Sequence, residues 1–375
     1  MSLRVGLIGS GYMGRAHALA FRAAASVFDL PVEPELALLA DIDVDTARAA
    51  AEALGFASHT GDWRELVADP SIDLVDITTP NQLHAEMALA AIEAGKHVYC
   101  EKPLAPTAAE ARPMVEAAEA AGTKTMVGFN YLKNPITALA KEIIDSGEIG
   151  EVFGFRGIHF EDYMLDPNTL VTAWRFDPTS GDGVVADLGS HIVSLGRHLM
   201  GPIDSVAAER QIVVDERTSP DGDPVKIEVA DQVSSLLRFA NGARGTVEAS
   251  WVATGRKMAV ACEVRGTEGA LMFDFERLNE LQLYTTGQPI GREGFTTILA
   301  GPAHQDFASF VPAPGHQLGF NDLKTIEIRD LIEGIHSPGG APWPDFREAY
   351  EVQRVIDAII ESDRRGAWFD VDEVS

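Results

Sequence analysis

Apolar and polar positions change period in blocks along the first third of the chain, and each block matches one kind of element. Residues 3–8 (LRVGLI) are a short apolar, β-prone run, and from Tyr12 onward an alanine-rich stretch has helical spacing. ELALLADID then reads as a strand ending on Asp41, and VDTARAAAEALG as a helix that Asp43 caps. DWRELVAD is a short helix and IDLVDITTP a buried strand. NQLHAEMALAAIEAG follows as a helix, with Asn81 placed to cap it and Gly95 to end it. KHVYC is a strand, APTAAEARPMVEAAEAAG a helix and TKTMVGFN a strand. Strands that alternate with helices predict a parallel, doubly wound sheet of Rossmann type.

Beyond residue 130 the pattern changes. FNYLKNPITALAKEIIDSGEIG is an amphipathic helix ended by glycine, and EVFGFRGIHFED alternates like a strand. GDGVVADLGSHIVSLGRHLMG is a Gly-rich entry into a helix. KIEVADQVSSLLRFANGARGTVEASWVATG and KMAVACEVRGTEGALMFDF alternate with period two around NG and EG turn signals, as hairpins of an antiparallel sheet do. LKTIEIRDLIEGI and FREAYEVQRVIDAIIES are amphipathic helices. The expected fold class is α/β, with a Rossmann domain over residues 1–129. Residues 130–375 are expected to form an α/β domain with a large open, mostly antiparallel sheet. The C-terminal helix could return to the first domain.

A length of 375 residues suits two such cores. The chain is 46% hydrophobic and 23% charged, with no apolar run near the roughly 20 residues of a membrane helix. Its first strand begins at once, leaving no space for a signal peptide, so a cytoplasmic enzyme is expected. The formal net charge of −27 repels nucleic acid and anionic lipid. The two cysteines, Cys100 and Cys262, have neither metal-ligand nor disulfide spacing, and no metal is expected.

Three glycines carry the first chemistry. Gly9, Gly11 and Gly14 form G-x-G-x-x-G between a strand and a helix, around Tyr12 and Met13. Such a turn lets backbone approach a pyrophosphate at a helix N-terminus. Asp41, ending the second strand, suits a ribose 2′-OH and repels a 2′-phosphate, so the expected cofactor is NAD. Ligands of this fold sit beyond the carboxyl ends of the strands. Thr78, Thr79, Pro80 and Asn81 stand there, as do Glu101, Lys102, Asn130 and Tyr131. In the second half, Asp187 and His191 are four apart, on one face of the expected helix. Taken alone, that pair reads first as a cap and a packed histidine.

Three stretches together, GLIGSGYMG, TTPNQLHAEMALAAIEAGKHVYCEKPLA and GDGVVADLGSHIVSLGRHLMG, resemble the Gfo/Idh/MocA family, the glucose–fructose oxidoreductase and inositol dehydrogenase group. Shorter ones, among them AWRF, FANGARGTVEAS, GTEGALMF and GPAH, are similar to the branch that contains levoglucosan dehydrogenase. The resemblance implies that Lys102 of E-K-P is catalytic, with Glu101 and Pro103 shaping its loop and Asp187 and His191 completing the site. It also implies a homodimer or homotetramer built through the C-terminal sheet. His84 of T-P-N-x-x-H and Glu101 join the expected cofactor shell, and Trp174 and Arg175 are expected to close over nicotinamide or substrate. Tyr131, Glu161, Asp162 and Tyr163 are candidates for substrate hydroxyls. The Lys102–Pro103 peptide bond is a candidate cis bond.

The chemistry that follows is NAD-dependent oxidation of a ring secondary alcohol of a neutral sugar or cyclic polyol. His191 would take the hydroxyl proton, Asp187 would orient it and Lys102 would hold the oxygen. Three alternatives stay open on sequence: an NAD-dependent glycosidase working by transient oxidation, a non-catalytic sugar sensor, and a reductase of a non-sugar carbonyl.

Overall fold

A computed structural model describes residues 2–168, 173–219 and 222–374. The chain opens with β1 (Ser2–Ile8), α1 (Tyr12–Val27), β2 (Glu33–Ala40), α2 (Val44–Leu54), β3 (Ser58–Thr60), α3 (Trp63–Ala68) and β4 (Leu74–Ile77). Next are α4 (His84–Glu93), β5 (His97–Cys100), α5 (Ala108–Ala121), β6 (Thr125–Val127), α6 (Pro135–Asp145), β7 (Val152–Phe160) and α7 (Ser190–Met200). Then come β8 (Ile203–Gln211), β9 (Glu216–Thr218), β10 (Pro224–Lys226), β11 (Gln232–Phe239), β12 (Arg244–Ser250), β13 (Ala259–Gly266) and β14 (Gly269–Asp274). The last are β15 (Glu280–Thr285), β16 (Thr296–Leu299), α8 (Phe307–Phe310), α9 (Phe320–His336), α10 (Phe346–Arg365) and β17 (Phe369–Asp370).

The chain divides into two compact units, residues 1–133 with 319–351, and residues 134–318 with 352–375. The first carries a parallel sheet in the order β3-β2-β1-β4-β5-β6. The order reverses between β1 and β4, and a doubly wound sheet opens its ligand crevice at that reversal. Residues 319–351, α9 and the start of α10, belong to this unit, whereas the sequence allowed only the C-terminal helix to return to it. The reason is burial. Ile328, Leu331 and Ile332 of α9 are inaccessible to solvent and share a core with Phe21 and Ala24 of α1 and Leu39 of β2. Each such side chain gains about 1.5–3 kcal/mol on burial.

Local signals account for several element ends. Asp43 accepts from the N–H groups of Asp45 and Thr46 and so starts α2, as expected. Gly95, just past α4, takes a positive φ of 73°. Asn81 does not cap α4. It opens a 3₁₀ turn over Asn81–Leu83, and α4 starts at His84 with no side-chain cap. A tight turn at that point spares the helix a polar cap by bonding backbone to backbone, Leu83 N–H to Pro80 O.

The second unit is built on a nine-stranded sheet among the described residues, in the order β16-β15-β14-β13-β7-β12-β11-β8-β17. Only the β7–β12 pair in it is parallel, so the expected mostly antiparallel sheet is present. β11 shows the one-sided burial: Val233, Ser235, Leu237 and Phe239 are covered while Ser234, Leu236 and Arg238 face outward. α7 lies on β7, and that contact sets the position of the helix bearing His191.

Candidate active site

The carboxyl end of the parallel sheet gathers the glycine turn, the end of β2 and the segments after β4 and β5. Gly9 has a φ of +94°, and a Cβ on Gly14 would run into the Gly9 carbonyl oxygen, so both glycines are required by the turn itself. Thr78 braces the turn from β4, its hydroxyl donating to Gly9 O at 2.8 Å. At Gly11 the chain leaves open space, and no side chain caps α1, so its first N–H groups are left for an anionic ligand. Tyr12 is 73% exposed at the same end. Asp41 accepts from both the N–H and the hydroxyl of Ser10, at 2.8 and 2.6 Å, which sets its carboxylate beside the turn. These residues fit a dinucleotide. Discrimination should follow from Asp41: kcat/KM for NAD is expected to exceed that for NADP at least about tenfold, some 1.4 kcal/mol. Asp41→Ser should narrow the ratio. Equal use of the two cofactors by the wild type in initial-rate assays contradicts this assignment.

After β5, Cys100 is followed by Glu101, Lys102 and Pro103, and the Lys102–Pro103 bond is cis. Glu101 is buried. One carboxylate oxygen accepts the Lys102 backbone N–H at 3.1 Å; the other meets His17 Nε2 at 3.0 Å and Lys324 Nζ at 2.8 Å. The carboxylate is thus turned into the unit's interior. Burial alone would raise its pKa, but Lys324 and His17 outweigh burial and hold it well below the ordinary carboxylate range. His84, expected in the cofactor shell, is fully buried, with its ring nitrogens 2.9 Å from Pro103 O and Thr79 O. Burial lowers its pKa and keeps the ring neutral. It ties the segment after β4 to the E-K-P loop and is sealed from solvent. Thr79, Pro80 and Asn81 lie in that segment, and Asn130 and Tyr131 form part of a buried 3₁₀ turn past β6.

In the second unit, Asp187 lies in a π-helical turn over Val185–Gly189 that leads into α7, and His191 is in the first turn of α7. The wider π turn separates the two residues' settings from the uniform helix face expected. Asp187 does not cap. Its carboxylate accepts from the Tyr163 hydroxyl at 3.1 Å and from Arg175 Nε at 3.3 Å. Burial, followed by the Asp187 charge, raises the Tyr163 pKa and keeps the phenol protonated. Arg175 also lies over the Trp174 ring, 4.3 Å from its centroid. His191 is nearly buried, its ring centroid 5.6 Å from that of His159. His159, missed in the sequence, reaches Leu188 O and Glu161, each at 3.0 Å, and so links β7 to the π turn. Asp162 is differently engaged from the hydroxyl contact expected of it. It is paired with Lys257 and accepts the Gly255 N–H, and these contacts lower its pKa.

Residues 3–129 match the NAD-binding Rossmann model of the oxidoreductase family, and residues 137–272 match the Gfo/Idh/MocA C-terminal domain. Levoglucosan dehydrogenase of Pseudarthrobacter phenanthrenivorans is 39% identical, over 100% of this chain and 99% of its own. The chain belongs to the Gfo/Idh/MocA family. Another relative, inositol 2-dehydrogenase of Rhizobium meliloti, is 30% identical over 96% of this chain and 97% of its own. A solved levoglucosan dehydrogenase, in complex with NADH and L-sorbose, superposes with a TM-score of 0.96 at 41% identity, covering 99% of each chain. The chain is an NAD-dependent oxidoreductase acting on CH–OH groups.

No helix among the described residues is long and apolar enough to cross a membrane, and none of their His, Cys, Asp and Glu side chains group in threes as a metal site would. Besides His159, sequence reasoning missed His17, Asp76, Lys324 and Glu327. Asp76 carried a signal, a carboxylate inside the apolar strand LVDI. Lys324 and Glu327 carried none, since an acid–base pair three apart on an amphipathic helix looks like a solvated face.

Proposed function

We propose that this protein oxidises a ring secondary alcohol of a neutral sugar or cyclic polyol with NAD, using Lys102, Asp187 and His191. The observation that carries the reading is Asp187. Its carboxylate is held by Tyr163 and Arg175 in the turn that enters the helix of His191, and it does no capping. NAD, when bound, supplies the hydride acceptor. The glycine turn, the start of α1 and Asp41 would hold it. His191 accepts the hydroxyl proton, because an imidazole titrates near neutrality. Asp187 orients that ring and favours its charged form. Lys102 donates a hydrogen bond to the substrate oxygen and stabilises negative charge as the proton leaves.

Arg175, Tyr163 and Glu161 offer a donor, a donor–acceptor and an acceptor for neighbouring hydroxyls, and Trp174 a flat face for ring C–H groups. Relatives named for levoglucosan and inositol support a neutral ring substrate. We further propose that the enzyme is cytoplasmic and that two or four copies associate through the outer face of the nine-stranded sheet.

Initial rates of NADH formation across inositols, aldopyranoses, anhydrosugars and glycosides at millimolar concentration test the substrate class. Activity is expected with at least one of these. Loss of a hydroxyl that a buried polar group binds should cost up to about 10⁴-fold in kcat/KM. Turnover confined to phosphorylated or carboxylated compounds, or to acyclic aldehydes, refutes the proposal.

A further inference from the structure

Inside the first unit runs a closed chain of charged groups that no step above uses. Asp76 of β4 faces His17 Nδ1 of α1 at 2.9 Å, and His17 Nε2 faces Glu101 at 3.0 Å. Lys324 of α9 meets Glu101 and Glu327 at 2.8 Å each and donates to the Tyr99 hydroxyl at 3.0 Å. Tyr99 in turn donates to Glu327 at 2.6 Å and stacks on His17, centroids 4.7 Å apart. Burial opposes a charge on His17, but Asp76 and Glu101 at its two nitrogens outweigh burial and raise its pKa, which favours the imidazolium. Gly128, after β6, leaves the space for this meeting: a Cβ there would lie 2.6 Å from a Glu101 carboxylate oxygen and 3.1 Å from Lys324 Nζ.

Charges sealed this way are costly, and replacing such pairs by apolar groups is often neutral for stability. One contact leads from them to the E-K-P loop. The second oxygen of Glu101 holds the backbone N–H of Lys102, the residue assigned to the substrate oxygen. We infer that Lys324 is a positioning residue for Lys102, acting through Glu101: its ammonium, fixed by Glu327 and Tyr99, keeps Glu101 a carboxylate in the orientation that pins the Lys102 backbone. The inference rests on Lys102 being catalytic, as proposed above.

The groups facing Glu101 fix the sign of the pH effect. From α1 and α9 come the cations His17 and Lys324; from β4, β5 and α9 come Asp76, Tyr99 and Glu327; Cys100 and neutral His84 complete its surroundings. With Lys324 present, Glu101 stays ionised to well below the ordinary range. Without it, burial and two neighbouring carboxylates, against His17 alone, favour protonation. A protonated Glu101 is the weaker acceptor for the Lys102 N–H.

The test is the pH profile of kcat for Lys324→Met, measured on the full chain beside wild type and Lys102→Ala. Lys324→Met is expected to gain an acidic limb: kcat falls about tenfold more than wild type between pH 9 and pH 6, while NAD Kd stays within about threefold. An infrared protonated-carboxyl band should appear over the same range. The double variant Lys324→Met with Glu101→Gln restores charge balance should the single variant fail to fold, and its kcat is expected to be low and free of the extra limb. Wild-type pH dependence in Lys324→Met, or wild-type kcat in the double variant, overturns the inference. If Lys102→Ala stays active, the assignment of Lys102 itself falls and this one with it. If Lys102→Ala is inactive while Lys324→Met behaves as wild type, the positioning role alone is wrong.

Discussion

Replacing Lys102 or His191 with alanine is expected to lower kcat by about 10²–10⁴-fold, the range general acid–base groups supply, while NAD affinity changes by no more than about threefold. Each side chain has an assigned task at the substrate oxygen and none at the dinucleotide phosphates. Alanine at 102 removes the cation that holds the oxygen; the backbone bond from its N–H to Glu101 can persist. Alanine at 191 removes the proton acceptor from a nearly buried position beside His159. Asp187→Asn should be milder, about tenfold in kcat, because the amide oxygen can still accept from Tyr163 and Arg175. Steady-state rates with a competent sugar or polyol, and NAD titration by tryptophan fluorescence, give the two readouts. An alanine variant that keeps more than a tenth of wild-type kcat does not have the role assigned to its parent residue.

Asp231→Ala is expected to cost about 3–5 kcal/mol of stability, the scale on which a buried ion pair fails when one partner is removed. Asp231 and Arg217 are essentially inaccessible and 3.0 Å apart. The same carboxylate accepts from Trp251 Nε1 at 2.6 Å and from the N–H groups of Val213 and Val214 at 2.8 Å each. The substitution therefore strands a buried guanidinium and a buried indole N–H and deprives two backbone donors of their acceptor. The damage should extend toward the site. Arg217 also donates to Met164 O at 2.8 Å and lies under the Phe176 ring, while Trp251 touches the rings of Phe176 and Tyr163. Tyr163 is one of the residues that donate to Asp187. Urea unfolding followed by circular dichroism measures the loss. A midpoint within error of wild type means that the cluster does not hold this part of the second unit together.

Much of the architecture is written in local pattern. The alternation of short apolar runs with alanine-rich helical stretches specifies a parallel sheet, because a strand followed by a helix can only return to a parallel neighbour. Period two with NG and EG turns specifies hairpins, and the nine-stranded sheet has them at β11–β12 and β13–β14. The glycine turn and Asp43 are equally local: each acts on atoms within a few residues, and Gly9 and Gly14 are needed for the turn whatever surrounds it. The family resemblance rested on the same motifs.

Tertiary structure decided what depends on which surfaces meet. An amphipathic helix announces that one face is covered and says nothing of the core that covers it, so α9 could be assigned to the first unit only when Ile328, Leu331 and Ile332 were seen in its core. His84 and Asp162 sat at promising positions in the sequence, yet one is enclosed by the carbonyls of Thr79 and Pro103 and the other engaged by Lys257. Asp187 read as a cap when taken alone, whereas its carboxylate accepts from Tyr163 and Arg175. The buried chain from Asp76 to Glu327 is the extreme case. Its members run from His17 of α1 to Glu327 of α9, 310 positions apart in the sequence. Charge is recorded by the sequence one residue at a time, but whether a charge is solvated or buried against its opposite depends on distances of about 3 Å between strands and helices that only folding brings together.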